Sequence, residues 1–507
     1  MIATLSFSFA FAGLCVAGAQ NGNYNQLYRP QAHFSPERNW TNDPNGLVYF
    51  HGEYHLFFQY NPYGDTWGHM SWGHAVSNDL IHWKQLSVAI PEENGVMIFT
   101  GSVVIDHDDT SGLCKPAKEC LVAIYTGDGD TPQGHRETQN LAYSKDDGRS
   151  WSKYSGNPVL DLHLSDFRDP NVSWDARQHQ WLMAVSLPRE HKVSFYHSRD
   201  LKHWEHLSDF GPAGDTGGAW ECPDLLQVPY ADKSRSMWVL KVGLNPGAPQ
   251  GGSGEQYFVG DFDGTTFRAS EEPGAHGWTN YGKDDYCAIS FNGIPHGDPP
   301  VLLGWMNNWE YAEKLPTSPW RGQMSLPRKL FLVRDQGGWA LAQEPVISLL
   351  RKSTVPLNLT APTAGEETIA TLSPPYELEV DQFGADAKRF GVMIYSDDRH
   401  WTEIGFDLGK QEFYIDRTRS DSAAISGFAA RTTASLVLGR HNDLKLIIDR
   451  SSVEAFAQQG TIAMTDLIYP PSSSNRVVLF SSSPISSEKN IKMWKLDSIW
   501  QDSELAQ

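Results

Sequence analysis

Three carboxylates in this chain stand in short runs that place an acid beside a proline and an aromatic residue. Asp43 lies in Trp-Thr-Asn-Asp-Pro-Asn-Gly, Asp169 in Phe-Arg-Asp-Pro, and Glu221 in Trp-Glu-Cys-Pro-Asp. Each run taken alone is also compatible with ordinary turn chemistry, because Pro, Asn and Gly favour turns. Together, the acids and their aromatic neighbours indicate glycosidic-bond chemistry by an acid and a nucleophile, since the sequence has no Ser/His pairing and no phosphate-binding loop.

A recurring turn motif organises the first two thirds of the chain. Ser-Asn-Asp-Leu-Ile-His-Trp at 77–83 returns as Ser-Arg-Asp-Leu-Lys-His-Trp at 198–204 and, more loosely, at 144–151. The spacings of 67 and 54 residues (77 to 144, 144 to 198) suit one four-stranded sheet per repeat and predict a β-propeller. A degenerate copy follows at 261–267, and the chain after it leaves room for a fifth blade that ends near Gln343. Similar turns arise by chance in Ser/Asp-rich sandwiches, which stay open as the alternative.

The repeat also gives the acids a common position. Asp43, Asp169 and Glu221 precede the next marker by 34, 29 and 40 residues (43 to 77, 169 to 198, 221 to 261), near the start of their blades. The first strand of each propeller blade lines the central channel, so we expect the three side chains to converge at one mouth of it. The same offset in the second repeat falls on Phe-Thr-Gly-Ser at 99–102, which is expected to shape the pocket rather than react.

The character of the sequence changes near residue 346. Residues 346–367 mix apolar residues with Pro, Thr and Gly and are predicted to be a linker with one short helix. Residues 368–507 hold strand-like segments with period-two alternation, separated by Asp- and Ser-containing turns, which predicts a β-sandwich.

The acidic residues of the predicted sandwich form no catalytic constellation. Glu403, Asp407 and Glu454 are predicted to lie on solvated strand faces. We therefore assign the chemistry to residues 20–345, and predict an all-β chain with a five-bladed β-propeller followed by a C-terminal β-sandwich.

Composition narrows the class of partners. The 507 residues include 61 acidic and 41 basic residues, and the formal net charge of −20 repels nucleic-acid backbones and anionic lipids. We therefore expect neither a nucleic acid nor a membrane as partner. The 18 Trp, 19 Tyr and 23 Phe suit a β-rich fold and offer stacking platforms for sugars.

The N-terminus predicts secretion to the extracellular space. Residues 1–19 are apolar and end in Ala-Gly-Ala, which is typical of a signal peptide cleaved before Gln20. The segment has no Lys or Arg near its start, so a buried N-terminal segment is the alternative. Of three glycosylation sequons, those at Asn39 and Asn171 flank candidate carboxylates, where a glycan would block a cleft, so Asn358 is the predicted glycosylation site.

Four cysteines remain once Cys15 is removed with the signal peptide. Cys114 and Cys120 bracket a short loop, which predicts a local disulfide in an oxidising compartment. Cys222 and Cys287 are predicted to be buried thiols. No Cys/His spacing indicates a metal site, and no metal or other cofactor is expected.

Several motifs in order resemble glycoside hydrolase family 32, the invertases, inulinases and levanases. Besides the three acidic runs they are Phe-Phe-Gln-Tyr-Asn-Pro at 57–62 and Asp-Arg-Ser-Ser-Val-Glu-Ala-Phe at 449–456, and the resemblance extends from about His33 to the C-terminus. It implies a five-bladed propeller with a C-terminal sandwich, and an exo-acting β-fructosidase that hydrolyses terminal β-fructofuranosyl units of sucrose and/or fructans.

The resemblance implies a role for each acid. Asp43 is expected to be the nucleophile that attacks C2 of the fructosyl unit, and Glu221 the acid that protonates the leaving oxygen and later activates water. Asp169 is expected to stabilise the transition state, with Arg168 holding it ionised and oriented. A covalent fructosyl-enzyme and retention of configuration follow, with the two reacting carboxyl groups roughly 5–5.5 Å apart. Two neighbouring anions should favour the protonated form of Glu221, so we expect a mildly acidic pH optimum.

The resemblance also assigns the pocket around the fructosyl unit. We expect Trp305 to close the pocket beside the reacting sugar, while Phe99 is assigned to either wall or core. The other residues that match pocket-lining positions are Asn42, Gln59, Trp67 and Ser102.

Two departures from the family pattern stand out. Thr41 occupies a position where Met is commoner, and Cys287 lies in a segment that usually carries a small residue. Neither removes a catalytic group.

Other functions remain open on the sequence. A fructosyltransferase would let sucrose capture the covalent intermediate. An endo-inulinase is disfavoured by Cys222, although residues 94–101 partly resemble the endo enzymes. An inverting propeller glycosidase, such as an arabinanase, would hold its acids farther apart. A lectin-like propeller would bind fructans without cleaving them and would have no need of all three acids.

Overall fold

A computed structural model of the chain describes residues 24–272, 274–358, 365–381, 387–421, 424–472, 474–483 and 491–500. Within these ranges the regular structure is nearly all strand, and the helices are three short 3₁₀ turns: Pro188–Glu190, Ala312–Lys314 and Ser348–Leu350. Among the described residues no helix is long and apolar enough to cross a membrane. The predicted signal peptide at 1–19 lies outside the described residues.

The chain from Asn39 to Pro345 builds five sheets, almost entirely from consecutive strands. The first sheet contains β1 (Asn39–Phe50), β2 (Glu53–Tyr60), β3 (Ser71–Ser77), β4 (Lys84–Gln85) and β20 (Trp320–Arg321). The second contains β5 (Met97–Asp106), β6 (Cys120–Thr131), β7 (Gly134–Ser144) and β8 (Ser152–Lys153). The third contains β9 (Arg168–Asp175), β10 (Gln180–Leu187), β11 (Lys192–Ser198) and β12 (Glu205–Phe210). The fourth contains β13 (Ala219–Pro229), β14 (Ser236–Asn245), β15 (Gly254–Phe262), β16 (Phe267–Ala269) and β17 (His276–Trp278). The fifth contains β18 (Tyr286–Ser290), β19 (Val301–Trp305), β21 (Arg328–Asp335) and β22 (Gly338–Pro345).

The first strands of these sheets form a closed ring. β1 contacts β5, β5 contacts β9, β9 contacts β13, β13 contacts β18, and β18 returns to β1. Buried apolar side chains fill the space between neighbouring sheets. This arrangement is that of a β-propeller, so the fold class predicted from the repeat is confirmed.

The recurring motif forms the turn between the third and fourth strands of its sheet. The Asp79 carboxylate accepts hydrogen bonds from the N–H groups of Ile81 (2.9 Å) and His82 (2.8 Å). Asp200 caps its own turn in the same way, with donor distances of 3.0 and 2.9 Å. The side chain of Asp in these motifs therefore takes over the role of a backbone acceptor, as expected for an Asx turn.

The C-terminal part forms two six-stranded sheets that pack face to face around one apolar core. One sheet contains β23 (Arg351–Thr354), β25 (Tyr376–Val380), β30 (Leu444–Ile448), β31 (Ser452–Ala457), β32 (Ile462–Leu467) and β34 (Ile491–Leu496). The other contains β24 (Gly365–Leu372), β26 (Arg389–Tyr395), β27 (Trp401–Asp407), β28 (Glu412–Arg419), β29 (Arg431–Ser435) and β33 (Asn475–Ser481). The predicted β-sandwich is confirmed.

The segment 346–367, predicted to be a linker, belongs to the folded structure at both of its ends. The expected short helix is the 3₁₀ turn Ser348–Leu350, and β23 follows at once and pairs with β34. β23 is an edge strand whose side chains are mostly exposed, which explains its linker-like composition. Asn358 is exposed, and its glycosylation stays a prediction.

A buried ionic cluster joins the sandwich to the propeller. The Arg328 guanidinium on β21 contacts the carboxylates of Glu454 on β31 at 2.6 Å and of Asp285, just before β18, at 2.8 Å. The prediction that Glu454 lies on a solvated face is wrong, because the propeller covers the outer face of β31. Glu403 and Asp407, for which the same prediction was made, are half-buried on β27. Burial acts to raise the pKa of Glu454, but Arg328 and His33 outweigh it and lower the pKa to about 2.

A second buried cluster lies beside the first. Arg417 on β28 pairs with the Asp284 carboxylate at 2.5 Å and donates to the Tyr311 hydroxyl at 2.7 Å.

The carboxylate of Asp449 accepts hydrogen bonds from the N–H groups of Gln31 and Ala32, near the start of the described chain. The Asp-Arg-Ser-Ser-Val-Glu-Ala-Phe motif at 449–456 therefore serves the contact between domains rather than the chemistry.

Glu454→Gln is expected to lower the free energy of unfolding by about 3 kcal/mol, because it removes one charge of a buried pair and leaves Arg328 undercompensated. The matched variant Glu403→Gln changes the same residue type at a half-buried position, where the partner Arg389 is largely solvated, and should cost less than about 1 kcal/mol. Chemical denaturation of both variants at pH 7 measures the difference, and equal losses would contradict this account of the interface.

The structure pairs the four cysteines into two disulfides. Cys114 and Cys120 are bonded, with Cα atoms 5.1 Å apart, as predicted. The prediction of thiols at Cys222 and Cys287 is wrong: they form a second disulfide, with Cα atoms 5.3 Å apart. Their separation of 65 residues gave no sign of contact, because the two positions meet only when β13 and β18 become neighbours in the ring.

Candidate active site

Five β-bulges lie at the same level of the ring, one near the start of each first strand. A bulge sets two residues against one on the partner strand and re-aims the side chains there. The residue pairs on the bulged strands are Asn42 and Asp43, Phe99 and Thr100, Asp169 and Pro170, Cys222 and Pro223, and Cys287 and Ala288. Proline lacks the N–H that a ladder requires and is tolerated at bulges, which accounts for Pro170 and Pro223; Pro44 directly follows the bulge of β1.

A cavity of about 670 Å³ opens at this end of the ring. Its walls include Asp43 from β1, Asp169 from β9 and Glu221 from β13, so the structure brings the three predicted acids together. Five other residues predicted for the site also line the cavity: Asn42, Gln59, Trp67, Phe99 and Arg168.

Both oxygens of Glu221 are held by neighbouring donors. Arg168 donates from Nε to Oε1 at 3.0 Å, and its Nη2 lies 2.9 Å from the same oxygen. The Tyr286 hydroxyl donates to Oε2 at 2.5 Å. Glu221 therefore has a fixed direction in the cavity.

Arg168 acts on Asp169 only in part as expected from the sequence: its charge acts to lower the pKa of Asp169, but among the described residues the two side chains share no hydrogen bond or salt bridge. Besides Glu221, its guanidinium bonds to Glu137 at 3.0 and 3.2 Å and to Asp166 at 3.3 Å. Asp169 lies in the bulge of β9 with a left-handed backbone (φ 67°), and its carboxylate bonds to a backbone N–H of β13 rather than to the guanidinium.

Asp169 is buried and fixed by the backbone instead. Its Oδ2 accepts a hydrogen bond from the Cys222 N–H at 2.9 Å, and its own N–H donates to the Thr126 hydroxyl at 3.0 Å. Burial and the nearby Glu221 carboxylate raise the pKa of Asp169 well above its usual range.

Asp43 has one held oxygen and one free oxygen. Oδ2 accepts a hydrogen bond from the Thr100 hydroxyl at 2.7 Å, whereas buried Oδ1 has no hydrogen-bond partner among the described residues. Burial raises the pKa of Asp43 to about 6, even though the Thr100 hydrogen bond opposes the shift. Asp43 is therefore an oriented carboxylate at the cavity wall, as a nucleophile in this position would be.

Two residues predicted to line the pocket lie behind its wall. The Ser102 hydroxyl donates to the Pro170 carbonyl and accepts from the Val172 N–H, so it ties β5 to β9. Trp305 is fully buried, and Trp309 lines the cavity in front of it, with ring centroids 4.8 Å apart.

Sequence reasoning missed several residues of the site. Glu137 lines the cavity, and burial raises its pKa to about 7 despite its contact with Arg168. Trp309 lies in the sequence predicted to form the fifth blade, where no role was assigned to it, and Tyr286 stood out only through its unusual neighbour Cys287. The remaining lining residues are Met97, Thr100, Asp128, His135, Ser165, Asp166, Arg189 and Asn245.

Thr100→Val is expected to raise the pKa of Asp43 further, by about one unit, because the ionised carboxylate loses a hydrogen bond. If Asp43 must be ionised to react, the acid limb of the kcat/KM profile lies near pH 6 in the parent and near pH 7 in the variant. Thr100→Ser keeps the hydroxyl and should leave the limb in place. If the Thr100→Val profile matches that of the parent, the ionisation of Asp43 does not set the acid limb.

Comparison with known sequences decides the family. Residues 33–345 match the family model described as the glycosyl hydrolases family 32 N-terminal domain, and residues 347–495 match the one described as its C-terminal region. The chain belongs to glycosyl hydrolase family 32. The predictions of this family and of a glycoside hydrolase are confirmed.

Relatives of this family 32 hydrolase match it over nearly its whole length. A levanase of Bacillus subtilis is 41% identical over 98% of this chain and 74% of its own. The extracellular exo-inulinase of Aspergillus awamori is 38% identical over 94% of this chain and 96% of its own. A crystal structure of an exo-inulinase from the same species superposes with a TM-score of 0.87, covering 94% of this chain and all of that one at 36% identity.

A solved complex extends the comparison to a bound sugar. A Schwanniomyces occidentalis fructofuranosidase variant complexed with fructosylnystose superposes on this family 32 hydrolase with a TM-score of 0.82. The two chains are 31% identical, and the match covers 94% of this chain and 99% of that one.

Proposed function

We propose that this enzyme is a secreted, retaining exo-β-fructosidase that hydrolyses terminal β-D-fructofuranosyl units of sucrose and fructans. The observation that carries the proposal is the meeting of Asp43, Asp169 and Glu221 in one cavity, each with a different set of partners. The names of the relatives, levanase and exo-inulinase, support fructans as the substrate class and exo attack as the mode.

The first chemical step forms a fructosyl-enzyme. The Asp43 carboxylate, which lines the cavity, attacks C2 of the terminal fructosyl unit, and the bond from C2 to the leaving oxygen breaks. Glu221, in its protonated form, gives its proton to that oxygen as the leaving sugar departs. Asp169 binds fructose hydroxyl groups and stabilises the positive charge that develops at the ring.

The second step releases fructose with retained configuration. Glu221, now a carboxylate, takes a proton from a water molecule, whose oxygen attacks C2 and displaces Asp43. Two inversions at C2 give net retention, as expected when the two carboxyl groups lie close together. Arg168 and Tyr286 hold Glu221 in the same direction through both steps.

Secretion and disulfide bonding support each other in this proposal. The relative from Aspergillus awamori is named extracellular, and residues 1–19 have the composition of a signal peptide. Two disulfides are expected in an oxidising compartment rather than in the cytosol.

The function is tested by resolving the products from sucrose, inulin and levan. The proposal predicts free fructose from all or some of these substrates from the first minutes, with the β-anomer appearing first by NMR. Oligomers would indicate an endo enzyme, kestose from sucrose a transferase, initial α-fructose an inverting enzyme, and binding without any product a lectin. Asp43→Asn protein, which keeps the cavity but lacks the nucleophile, serves as the matched blank.

A further inference from the structure

The Cys222–Cys287 disulfide lies directly behind the candidate acid. Cys222 follows Glu221 on β13, and Cys287 follows Tyr286 on β18. Glu221 and Tyr286 are joined by the 2.5 Å hydrogen bond described above. The covalent link and the hydrogen bond therefore connect the same two strands at adjacent residues.

Both cysteines belong to bulges. Cys222 and Cys287 have left-handed backbones, with φ of 48° and 47°, a conformation that is unfavourable for a non-glycine residue. Such backbones persist only where surrounding structure enforces them. A covalent bond between the two bulges is such a constraint, because it fixes the separation of their backbones at the level of the cavity.

The link also reaches the third carboxylate. The Cys222 N–H donates to Asp169 Oδ2 at 2.9 Å, so a shift of the Cys222 backbone would move this hydrogen bond as well as the Glu221 side chain. The sulfurs lie in an apolar cluster with Trp40, Tyr286 and Trp305, and both cysteines are buried. An oxygen of the Asp43 carboxylate lies within 4.8 Å of both sulfurs, so the disulfide also adjoins the candidate nucleophile.

We propose that Cys222 and Cys287 are positioning residues, whose disulfide holds Glu221 and Asp169 in the geometry required for fructosyl transfer and keeps the Tyr286 hydroxyl on Glu221. This inference rests on the proposed function, since it concerns the acid and the stabilising carboxylate of that reaction. It departs from a purely structural role for the disulfide, because the constraint acts at the reacting groups. A displacement of about 1 Å at such groups lowers rates by about a hundredfold.

The test compares Cys222→Ala, Cys287→Ala and the double variant with the parent. We expect kcat on sucrose to fall by about ten- to hundredfold in all three, with KM changed less than about threefold. Since the disulfide acts as one unit, the double variant should be no worse than either single variant. The limbs of the kcat pH profile should also shift, because Tyr286 is no longer held on Glu221.

The other disulfide supplies the matched control. Cys114 and Cys120 are also buried, but they join β6 to the loop after β5 at the end away from the cavity, where Cys120 pairs with Asp106. The Cys114→Ala/Cys120→Ala variant should lose stability while its kcat and pH profile stay within about twofold of the parent. If the Cys222 and Cys287 variants keep parental kcat and pH profile, the proposal is overturned.

A second measurement covers variants that fail to fold. The parent is treated with a thiol reductant, the Cys222 thiol is quantified by alkylation and mass spectrometry, and activity is followed beside near-ultraviolet circular dichroism. Activity should fall in proportion to the reduced fraction of Cys222 while the spectrum persists; full activity in reduced, folded protein would refute the proposal. Glu221→Gln separates the two hypotheses: if that variant is fully active, the proposed acid is wrong, whereas an inactive Glu221→Gln with fully active cysteine variants removes only the positioning role.

Discussion

Replacing Asp43 with Asn should lower kcat on sucrose by about 10⁴-fold or more, because the side chain keeps its shape but no longer offers a nucleophilic oxygen. The structure also predicts an effect of this variant on stability. Burial raises the pKa of Asp43 to about 6, so at pH 7 the folded protein carries the cost of an ionised, buried carboxylate. Removing that charge should leave the free energy of unfolding equal or higher while activity disappears. Initial rates and denaturation curves at pH 7 measure both effects.

The control for this variant is Asp166→Asn, which makes the same substitution on another acid of the cavity. Asp166 contacts Arg189, which is largely exposed, and Arg168 at 3.3 Å; because Arg168 keeps its shorter bonds to Glu137 and Glu221 in this variant, we expect kcat to change less than about tenfold. Full activity in Asp43→Asn would refute its assignment as nucleophile, and loss of activity with loss of folding would show a structural role instead.

Glu221→Gln is expected to lower kcat on sucrose by about 10²–10⁴-fold, because the leaving glucose oxygen no longer receives a proton. The loss in the first step should shrink with β-fructofuranosyl fluoride, whose leaving group needs no acid. The second step then lacks its base, so a covalent adduct on the Asp43 peptide should accumulate and be visible by mass spectrometry. Added azide should restore turnover, since its nitrogen bonds to C2 and returns Asp43 as a carboxylate without proton transfer.

Glu137→Gln is the matched comparison, because Glu137 lines the same cavity and shares Arg168 with Glu221. We expect a smaller loss there, equal for sucrose and the fluoride, and no response to azide. An equal loss on both substrates in Glu221→Gln, without an adduct and without rescue, would move the acid/base role to another residue.

The repeat in the sequence was sufficient to predict the ring and the level of the acids within it. Asp43, Asp169 and Glu221 occupy equivalent positions because each blade begins with the same kind of strand, and strand order is encoded locally by turns such as that at Asp79. The sandwich was predictable for the same reason, since alternation and turns are local signals.

The positions of individual side chains were less predictable, because a bulge reverses the alternation of a strand. Cys287 and Ala288 form such a bulge on β18, and Trp305, which the family resemblance placed beside the sugar, is buried at the end of the neighbouring β19. The prediction that Glu454 is solvated was wrong for a different reason: the face of β31 that would meet solvent in an isolated sandwich is covered by the propeller. Neither a register shift nor a contact between domains leaves a mark in a local pattern.

The two ionic clusters between the domains have a consequence for how this molecule comes apart. Asp284 and Asp285 lie immediately before Tyr286, the residue that holds Glu221, and each takes part in a buried cluster that includes sandwich residues. Without the sandwich, Arg328 and Asp284 would lose their partners Glu454 and Arg417. Both residues lie in or just before the fifth sheet, which closes the ring. We therefore expect the two domains to unfold in one transition and a chain without the sandwich to lose the catalytic domain's stability as well.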